Sequence, residues 1–381
     1  MQKKLIALAI AGLSSTAFAQ SNVTISGVLK GGYDSTKISG GTAATGSMSQ
    51  ISDQASNIIF KGTESLGNGL SAIFQIDARF GIDGYDNNTT STVSGNNVSG
   101  FATGNTHVGL KSASFGEFKL GTQDLHYNET ERIEAGAKSL SQQALVGRSI
   151  LSQVRTSATA VDTVAPNATR AKNVAFWDSP NWSGFTVRAA YSTSDKGDEL
   201  TSTTISGQEG SAYNLVGRYE NGPIKAGISY YDRDDSAAAG AVQPGGKSTK
   251  AWAGYTIAGF SFGLAYDQSK QENLGAVAGA YAKRNAWAIP LSYAFGNHGI
   301  YATYAEADDA KTQAGDVASS GAKQYTLGYS YDFSKRTSVG VNYTKISNDA
   351  NAAYTFGNIK SAGPSTGQDI SQFYAGIRHA F

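Results

Sequence analysis

The chain has no cysteine and only 6 prolines in 381 residues. Without thiols there is no disulfide staple and no thiolate metal site, so stability must come from packing and backbone pairing. Beyond the first twenty residues no run is apolar enough to cross a bilayer as a helix, which takes about 20 residues. Neither sign of charge dominates: 31 Lys and Arg stand against 30 Asp and Glu. That balance speaks against a nucleic-acid partner, which calls for a basic face, and against an acidic solvating tail. Histidine is scarce, and His107, His126, His298 and His379 fall in separate segments without metal-ligand spacing. There is no P-loop and no dinucleotide fingerprint. We therefore expect no enzymatic activity, no cofactor and no bound metal.

What the chain has instead is glycine and aromatics, with 45 Gly, 20 Tyr and 16 Phe. Recurring together, they mark many short strands. The N-terminus opens Met-Gln-Lys-Lys, continues in an apolar run from Leu5 to Leu13 and reaches Ala17-Phe18-Ala19. A basic start, a short apolar stretch and an A-x-A site describe a secretory signal peptide. We expect residues 1–19 to be removed, leaving a mature chain from Gln20 to Phe381. Of the 31 basic side chains, Lys3 and Lys4 leave with it, so 29 face 30 acidic ones.

The mature chain alternates with period two. Tyr325, Leu327, Tyr329 and Tyr331 are separated by Thr326, Gly328 and Ser330. Phe260, Phe262, Leu264 and Tyr266 alternate with Ser261, Gly263, Ala265 and Asp267. Leu70, Ala72, Phe74 and Ile76 face away from Ser71, Gln75, Asp77 and Arg79, with Ile73 out of phase. One face is apolar and the other polar. A soluble sandwich would bury the apolar face; a transmembrane barrel would turn it to lipid. Two features favour the barrel. The polar faces carry Gly, Ser, Thr and charge throughout, leaving no second apolar layer. Short connections, such as 64–69, 112–116, 220–222 and 334–336, alternate with long polar ones at 34–54, 83–102, 195–210, 234–247, 271–283, 309–320 and 348–369. The pattern predicts an all-β transmembrane antiparallel barrel of sixteen strands, starting near 22, 55, 70, 103, 117, 171, 184, 212, 223, 248, 260, 284, 298, 321, 337 and 370. Such a barrel leaves an aqueous channel. Tyr33, Phe80, Tyr127, Trp177, Trp182, Tyr191, Trp252, Trp287 and Tyr343, near strand ends, are expected in interfacial girdles.

The opening Gln20-Ser-Asn-Val-Thr-Ile-Ser-Gly resembles the first strand of the general porins of Gram-negative bacteria, the β-proteobacterial type in particular. So do Phe60-Lys-Gly-Thr-Glu-Ser-Leu-Gly-Asn-Gly-Leu, Phe115-Gly-Glu-Phe-Lys-Leu-Gly, Asp178-Ser-Pro-Asn-Trp-Ser-Gly-Phe and the terminal Gly376-Ile-Arg-His-Ala-Phe. The resemblance runs nearly end to end. It implies a homotrimer in outer-membrane lipid and lipopolysaccharide, passing small hydrophilic solutes by passive diffusion. It also implies a third loop folded inward and a terminal Phe381 that the outer-membrane assembly machinery reads.

That third connection, about 124–169, is the longest, and long loops are usually functional. We expect its acids Asp124, Glu129, Glu131 and Glu134 to face wall residues Asn57, Lys61, Asp77, Arg79, Arg170, Lys172 and Arg188 across a constriction. Lys138, Arg148 and Arg155 lie further along it. Charges at a narrow point set ion selectivity. Several positions depart from the family pattern: Asn57, Thr122 and Phe176 stand where basic residues are frequent, while Arg170 remains. The expectation is weak selectivity, or a shift toward cations or neutral solutes. A substrate-selective channel on the same barrel and a surface adhesin are the competing readings.

Overall fold

The computed structural model describes residues 22–83, 101–134, 140–141, 144–146, 149–151, 170–193, 207–208, 210–238, 240–356 and 363–381. The expected signal peptide lies outside them. Alternation along the chain becomes strands. In Ala322–Asp332, Tyr325, Leu327 and Tyr329 are exposed on the outer face while Gln324, Thr326 and Ser330 are buried inside. In Phe260–Glu272 the same division sets Phe260, Phe262, Leu264 and Tyr266 outward and Ala265 and Asp267 inward.

The strands run β1 (Asn22–Gly40), β2 (Gly46–Asp53 continued as Ser56–Gly67), β3 (Leu70–Phe80), β4 (Thr106–Ser112) and β5 (Gly116–Gln123). They continue as β6 (Ala171–Asp178), β7 (Phe185–Ser192), β8 (Ser211–Asn221), β9 (Ile224–Asp234), β10 (Gly245–Ile257) and β11 (Phe260–Glu272). The last are β12 (Tyr281–Phe295), β13 (His298–Ala307), β14 (Ala322–Asp332), β15 (Thr337–Asn348) and β16 (Gln368–Ala380). Each pairs antiparallel with the next, and β1 pairs with β16 from Val28↔Ala380 to Gly40↔Gln368, so the sixteen strands close. Closure leaves no edge with unpaired N–H and C=O groups.

Two expectations about connections change. Residues 34–54 are mostly strand: Asp34 pairs with Gln50 and Ile38 with Gly46, leaving only a short turn at 41–45. Their polarity reads as loop, but a hairpin standing beyond the apolar band needs no apolar face. Likewise 309–320 holds a small hairpin, Ala310–Thr312 with Gly315–Val317. At the other end the turns are tight. Asn68 and Gly69 both take positive φ, 51° and 76°, as a two-residue hairpin turn requires.

Aromatic rings packed over inward glycines hold the register. The Trp252 ring lies over Gly227 and the Tyr301 ring over Gly328, each directly across a strand pair. Trp252 is therefore inside, and Tyr127 is buried within the third loop, so neither belongs to an interfacial girdle. Tyr33, Phe80, Trp182, Tyr191 and Tyr343 are exposed, as a girdle requires. At the closing seam Tyr374 covers Gly32 and Gly376. A Cβ on Gly32 would come within 2.5 Å of the Ala375 carbonyl oxygen and 2.6 Å of Tyr374 Cζ. Replacing Gly32 with Val should therefore weaken closure by about 1–3 kcal/mol. A urea titration of protein folded into liposomes checks this, and an unchanged midpoint would refute the seam's importance.

Candidate pore constriction

Period two places every second side chain in the lumen, so inward groups follow from parity. Between β5 and β6 the chain leaves the wall after Gln123 and returns at Ala171. Its described residues pack on inward-facing wall positions. Val146, Ile150 and Leu151 share a buried cluster with Ala265, Ala286, Ala288, Ala305, Ala307 and Ala322. Small wall residues leave the space that these loop side chains fill. Glycine does the same elsewhere: a Cβ on Gly254 would lie 2.6 Å from Ile133 Cγ2, and one on Gly340 would lie 2.9 Å from Leu140 Cδ1.

Polar bonds fix the loop's position. His126 is fully buried, with Nδ1 2.7 Å from Ser229 Oγ and Nε2 2.8 Å from Ser248 Oγ. Ser248 spends its own proton on Asp267 Oδ2 at 2.9 Å. The Nε2–H therefore donates to Ser248, and Nδ1 accepts from Ser229. Asp267 also holds Arg284 Nη1 at 3.0 Å, and the same guanidinium donates to the Ile150 carbonyl. Lys250 Nζ donates to the Tyr127 carbonyl at 3.3 Å. One network thus ties both limbs of the loop to β9, β10, β11 and β12.

The expected site residues divide into groups. Asp124 is buried between Arg170 Nε at 3.1 Å and Arg79 Nη2 at 3.7 Å, while its backbone N–H donates to Asn105 Oδ1 at 2.7 Å. Arg79 also pairs with Asp77 at 3.1 Å, and Asn57 Nδ2 donates to Asp77 Oδ1 at 2.9 Å. Asn57, Asp77, Arg79, Asp124 and Arg170 therefore do meet. Glu129 goes to another wall: Arg218 grips both its oxygens, and Arg132 Nε sits 3.1 Å from Oε2. Burial alone would raise the Glu129 carboxyl, but hydrogen bonds and charge from Arg218 hold it below its usual range.

Glu134 turns back on its own loop, accepting Thr130 Oγ1 at 3.0 Å and the Val146 N–H at 3.1 Å. Arg188 forks onto Asp178 at 2.6 and 3.0 Å, and Lys119 Nζ reaches the same carboxylate at 2.7 Å. Lys61 is exposed and forms no ion pair among the described residues, well along β2 from Asn57. Lys172 and Glu131 are half-buried. Lys138, Arg148 and Arg155 lie outside the described residues.

The groups missed from sequence are Lys119, Arg132, Asp178, Arg218, Lys250, Asp267 and Arg284. For those on strands, parity carried the signal: Arg218 shares the face of Asn214 and Val216, opposite Leu215. The stretch Gly259-Phe-Ser261-Phe-Gly263 has the spacing of a nucleophile elbow, but Ser261 sits within β11 and its Oγ bonds Thr256 Oγ1 at 3.0 Å. It is an ordinary strand serine.

Burial holds the His126 imidazole well below its ordinary 6.5, and nearby Lys250 adds to this, so the docked ring is neutral. Around it stand Lys250, Asp267 and Tyr231, the last stacked at 5.8 Å. An undocked histidine takes up a proton below about pH 6.5 that the docked one refuses. Docking is therefore at full strength above that value and weakens as pH falls below it. Acidification should raise protease cleavage within 124–169 in folded protein, and His126→Asn should flatten that dependence. Identical acid profiles for both proteins would remove His126 from the account. Replacing Arg218 with Ala leaves buried Glu129 with Arg132 as its remaining cation, at up to about 3 kcal/mol. It should release the loop at every pH, read by the same cleavage; an unaltered cleavage rate would show that the pair does not hold the loop.

Residues 5–351 match the sequence model of the Gram-negative porin family. Among similar chains, outer membrane porin protein 32 of Delftia acidovorans is 27% identical over the full length of both. The major outer membrane protein P.IB of Neisseria lactamica is 26% identical over 95% of this chain and 98% of its own. An anion-selective porin from Comamonas acidovorans superposes with a TM-score of 0.70 at 22% identity, over 95% of this chain and all of that one. OmpF of Salmonella typhi superposes at 0.60 with 17% identity, over 94% and 97%.

Proposed function

The chain belongs to the Gram-negative porin family, and from that premise we propose that its channel modestly favours small anions. It is an outer-membrane protein that forms a water-filled passage for passive diffusion of ions and small hydrophilic solutes. The selectivity reading rests on one observation, the order in which charges meet water. Asp77 is 3% exposed beside Arg79 at 25%, and Asp124 is 4% exposed beside Arg170 at 21%. Glu129 is 4% exposed beside Arg132 at 35%. In each pair the carboxylate is buried beside a more exposed guanidinium, Arg132 also bonding Glu220 at 2.6 Å, and exposed Lys61 has no ion pair among the described residues. Charges at a narrow, partly dry point are screened less than in bulk. This reading differs from the expectation of weak selectivity or a shift toward cations or neutral solutes, which counted absent arginines and left Arg132 out.

In this reading Asp124, Glu129 and Glu134 hold the loop, and Arg79, Arg132 and Arg170 line the passage. The assembled unit is a homotrimer in outer-membrane lipid and lipopolysaccharide, exported with residues 1–19 removed. Phe381 is the assembly signal: its backbone exchanges two 3.1 Å hydrogen bonds with Gly27, leaving the ring exposed at a strand end. No catalysis and no cofactor are assigned.

Planar-bilayer reversal potentials under a KCl gradient test the reading. Permeability to chloride should exceed that to potassium, and Arg132→Gln should reduce the ratio. Cation preference in the parent protein would overturn the selectivity, and absence of ohmic steps from folded protein would overturn the open channel.

A further inference from the structure

The outer face of the barrel carries a row of four lysines that the lumen does not use. The register sets Lys247 directly opposite Lys270, Lys270 opposite Lys283, and Lys283 opposite Lys311 of the small hairpin. Parity confirms the side: Ser248, Ser269, Ala282 and Ala310, each next to one of these lysines, are buried inside. Neighbouring strands lie about 4.8 Å apart, so the row spans about 14 Å. Like charges directly opposite one another destabilise a sheet. Three such juxtapositions in succession are a cost that needs an explanation.

Local carboxylates offset only part of it. Glu272 is shared between Lys247 at 3.1 Å and Lys270 at 2.7 Å, Asp232 stands 3.7 Å from Lys247, and exposed Asp316 stands 3.7 Å from Lys311. Asp232 is itself engaged by the hydroxyls of Tyr213 and Tyr230, at 2.8 and 2.9 Å. Lys283 pairs with no carboxylate among the described residues. It lies beside the Tyr281 ring, which Lys270 also approaches, at 5.9 and 5.3 Å to the centroid. Between these side chains opens a cavity of about 500 Å³, lined by Tyr230, Lys247, Gln268, Lys270, Tyr281 and Lys283.

Its height on the barrel identifies what reaches it. Along β11 the outward side chains read Phe260, Phe262, Leu264, Tyr266, Gln268, Lys270, and along β12 they read Tyr293, Leu291, Ile289, Trp287, Asn285, Lys283. Apolar rows give way to Tyr266 and Trp287, then to amides, then to the lysines, just short of the loop end. A girdle of Tyr and Trp marks the level of the lipid headgroups. The lysine row stands immediately beyond it, on the lipid side of the wall.

We propose that this row and its cavity are a docking site for the phosphorylated headgroup of an outer-leaflet glycolipid. The inference rests on the outer-membrane reading above and gives one of its partners a place. A multiply charged anion lying along the row neutralises lysines that otherwise repel, while Tyr230 and Tyr281 flank its sugar and Gln268 offers hydrogen bonds. A headgroup anchored in the leaflet reaches this site at the concentration of the leaflet; free phosphate does not.

The test uses the full folded protein in detergent, titrated with bisphosphorylated lipid A, with dephosphorylated lipid A and with inorganic phosphate, read by calorimetry. Lipid A should bind, its dephosphorylated form should bind at least about tenfold more weakly, and millimolar phosphate should not compete. Lys270→Gln with Lys283→Gln should cost about tenfold in affinity, whereas Lys335→Gln in the turn at the opposite end should cost nothing. Lys283→Gln alone should leave the unfolding temperature without lipid unchanged or higher, because it removes repulsion, and should lower the temperature gained on adding lipid A. Equal lipid affinity in the double variant, or indifference to the phosphates, overturns the site, and competition by free phosphate overturns the lipid as its occupant. Bilayer conductance of the double variant separates this from the channel reading. Normal conductance with unaltered lipid binding defeats the row alone, and absent conductance in the parent protein defeats the channel.

Discussion

A backbone crossing lipid has nowhere to send its N–H and C=O groups except to another strand, and most of this structure follows from that requirement. It forces β1 onto β16 along thirteen register positions, from Val28 to Gly40, and so closes the sheet. Closure divides every strand into a lipid side and a water side. The apolar residues that a soluble protein would bury are turned outward, where Leu264, Ile228 and Leu327 are more than half exposed in the isolated chain. The inside then has to be built from polar groups, and it has to be built without waste.

The lumen meets that demand by pairing. Asp267 and Arg284 are wholly buried, and each has further bonds that compensate for lost hydration: the two serines for Asp267 and the Ile150 carbonyl for Arg284. Buried ion pairs of this kind add little net stability but make a broken partner costly, so they specify position more than they hold the fold together. The apolar contact between Val146, Ile150, Leu151 and the alanine wall supplies the adhesion. Together they hold the described residues of the loop against the lumen wall in one arrangement. The neighbours Lys283 and Arg284 show how far one residue's step matters. Arg284 is locked in the lumen network, while Lys283 stands on the opposite face in a row of its own sign.

The sequence was most legible where the physics is local. Alternation at 260–267 and 325–331, together with Asn68-Gly69 and the other short turns, was enough for strand number, face assignment and closure, because side-chain period and turn chemistry depend on a few adjacent residues. It misled where polarity stood in for irregularity, as at 34–54, since a hairpin outside the apolar band carries the same composition as a loop. It misled again at Tyr127 and Trp252, since an aromatic near a strand end can turn either way. Of the residues expected at a constriction, Asn57, Asp77, Arg79, Asp124 and Arg170 do come together, because they lie on segments that meet across β2, β3 and the loop's two ends. Arg218, Lys250 and Arg284 were overlooked, although parity placed them inside, because no pattern within a strand tells which inward charge the loop will reach.

By itself, then, the sequence determined that this chain is a closed antiparallel barrel with a polar interior, a long third loop and a fixed inside and outside for nearly every strand. Those properties are written in period two and in turn residues. Only the tertiary structure decided which charges face each other. Glu129 meets Arg218 across 89 positions and His126 meets Ser248 across 122. The lysine row likewise depends on cross-strand register, which side-chain alternation leaves open by any even number of residues. Long-range pairing is settled by closure and by the packing of the loop, and neither can be read from any one segment.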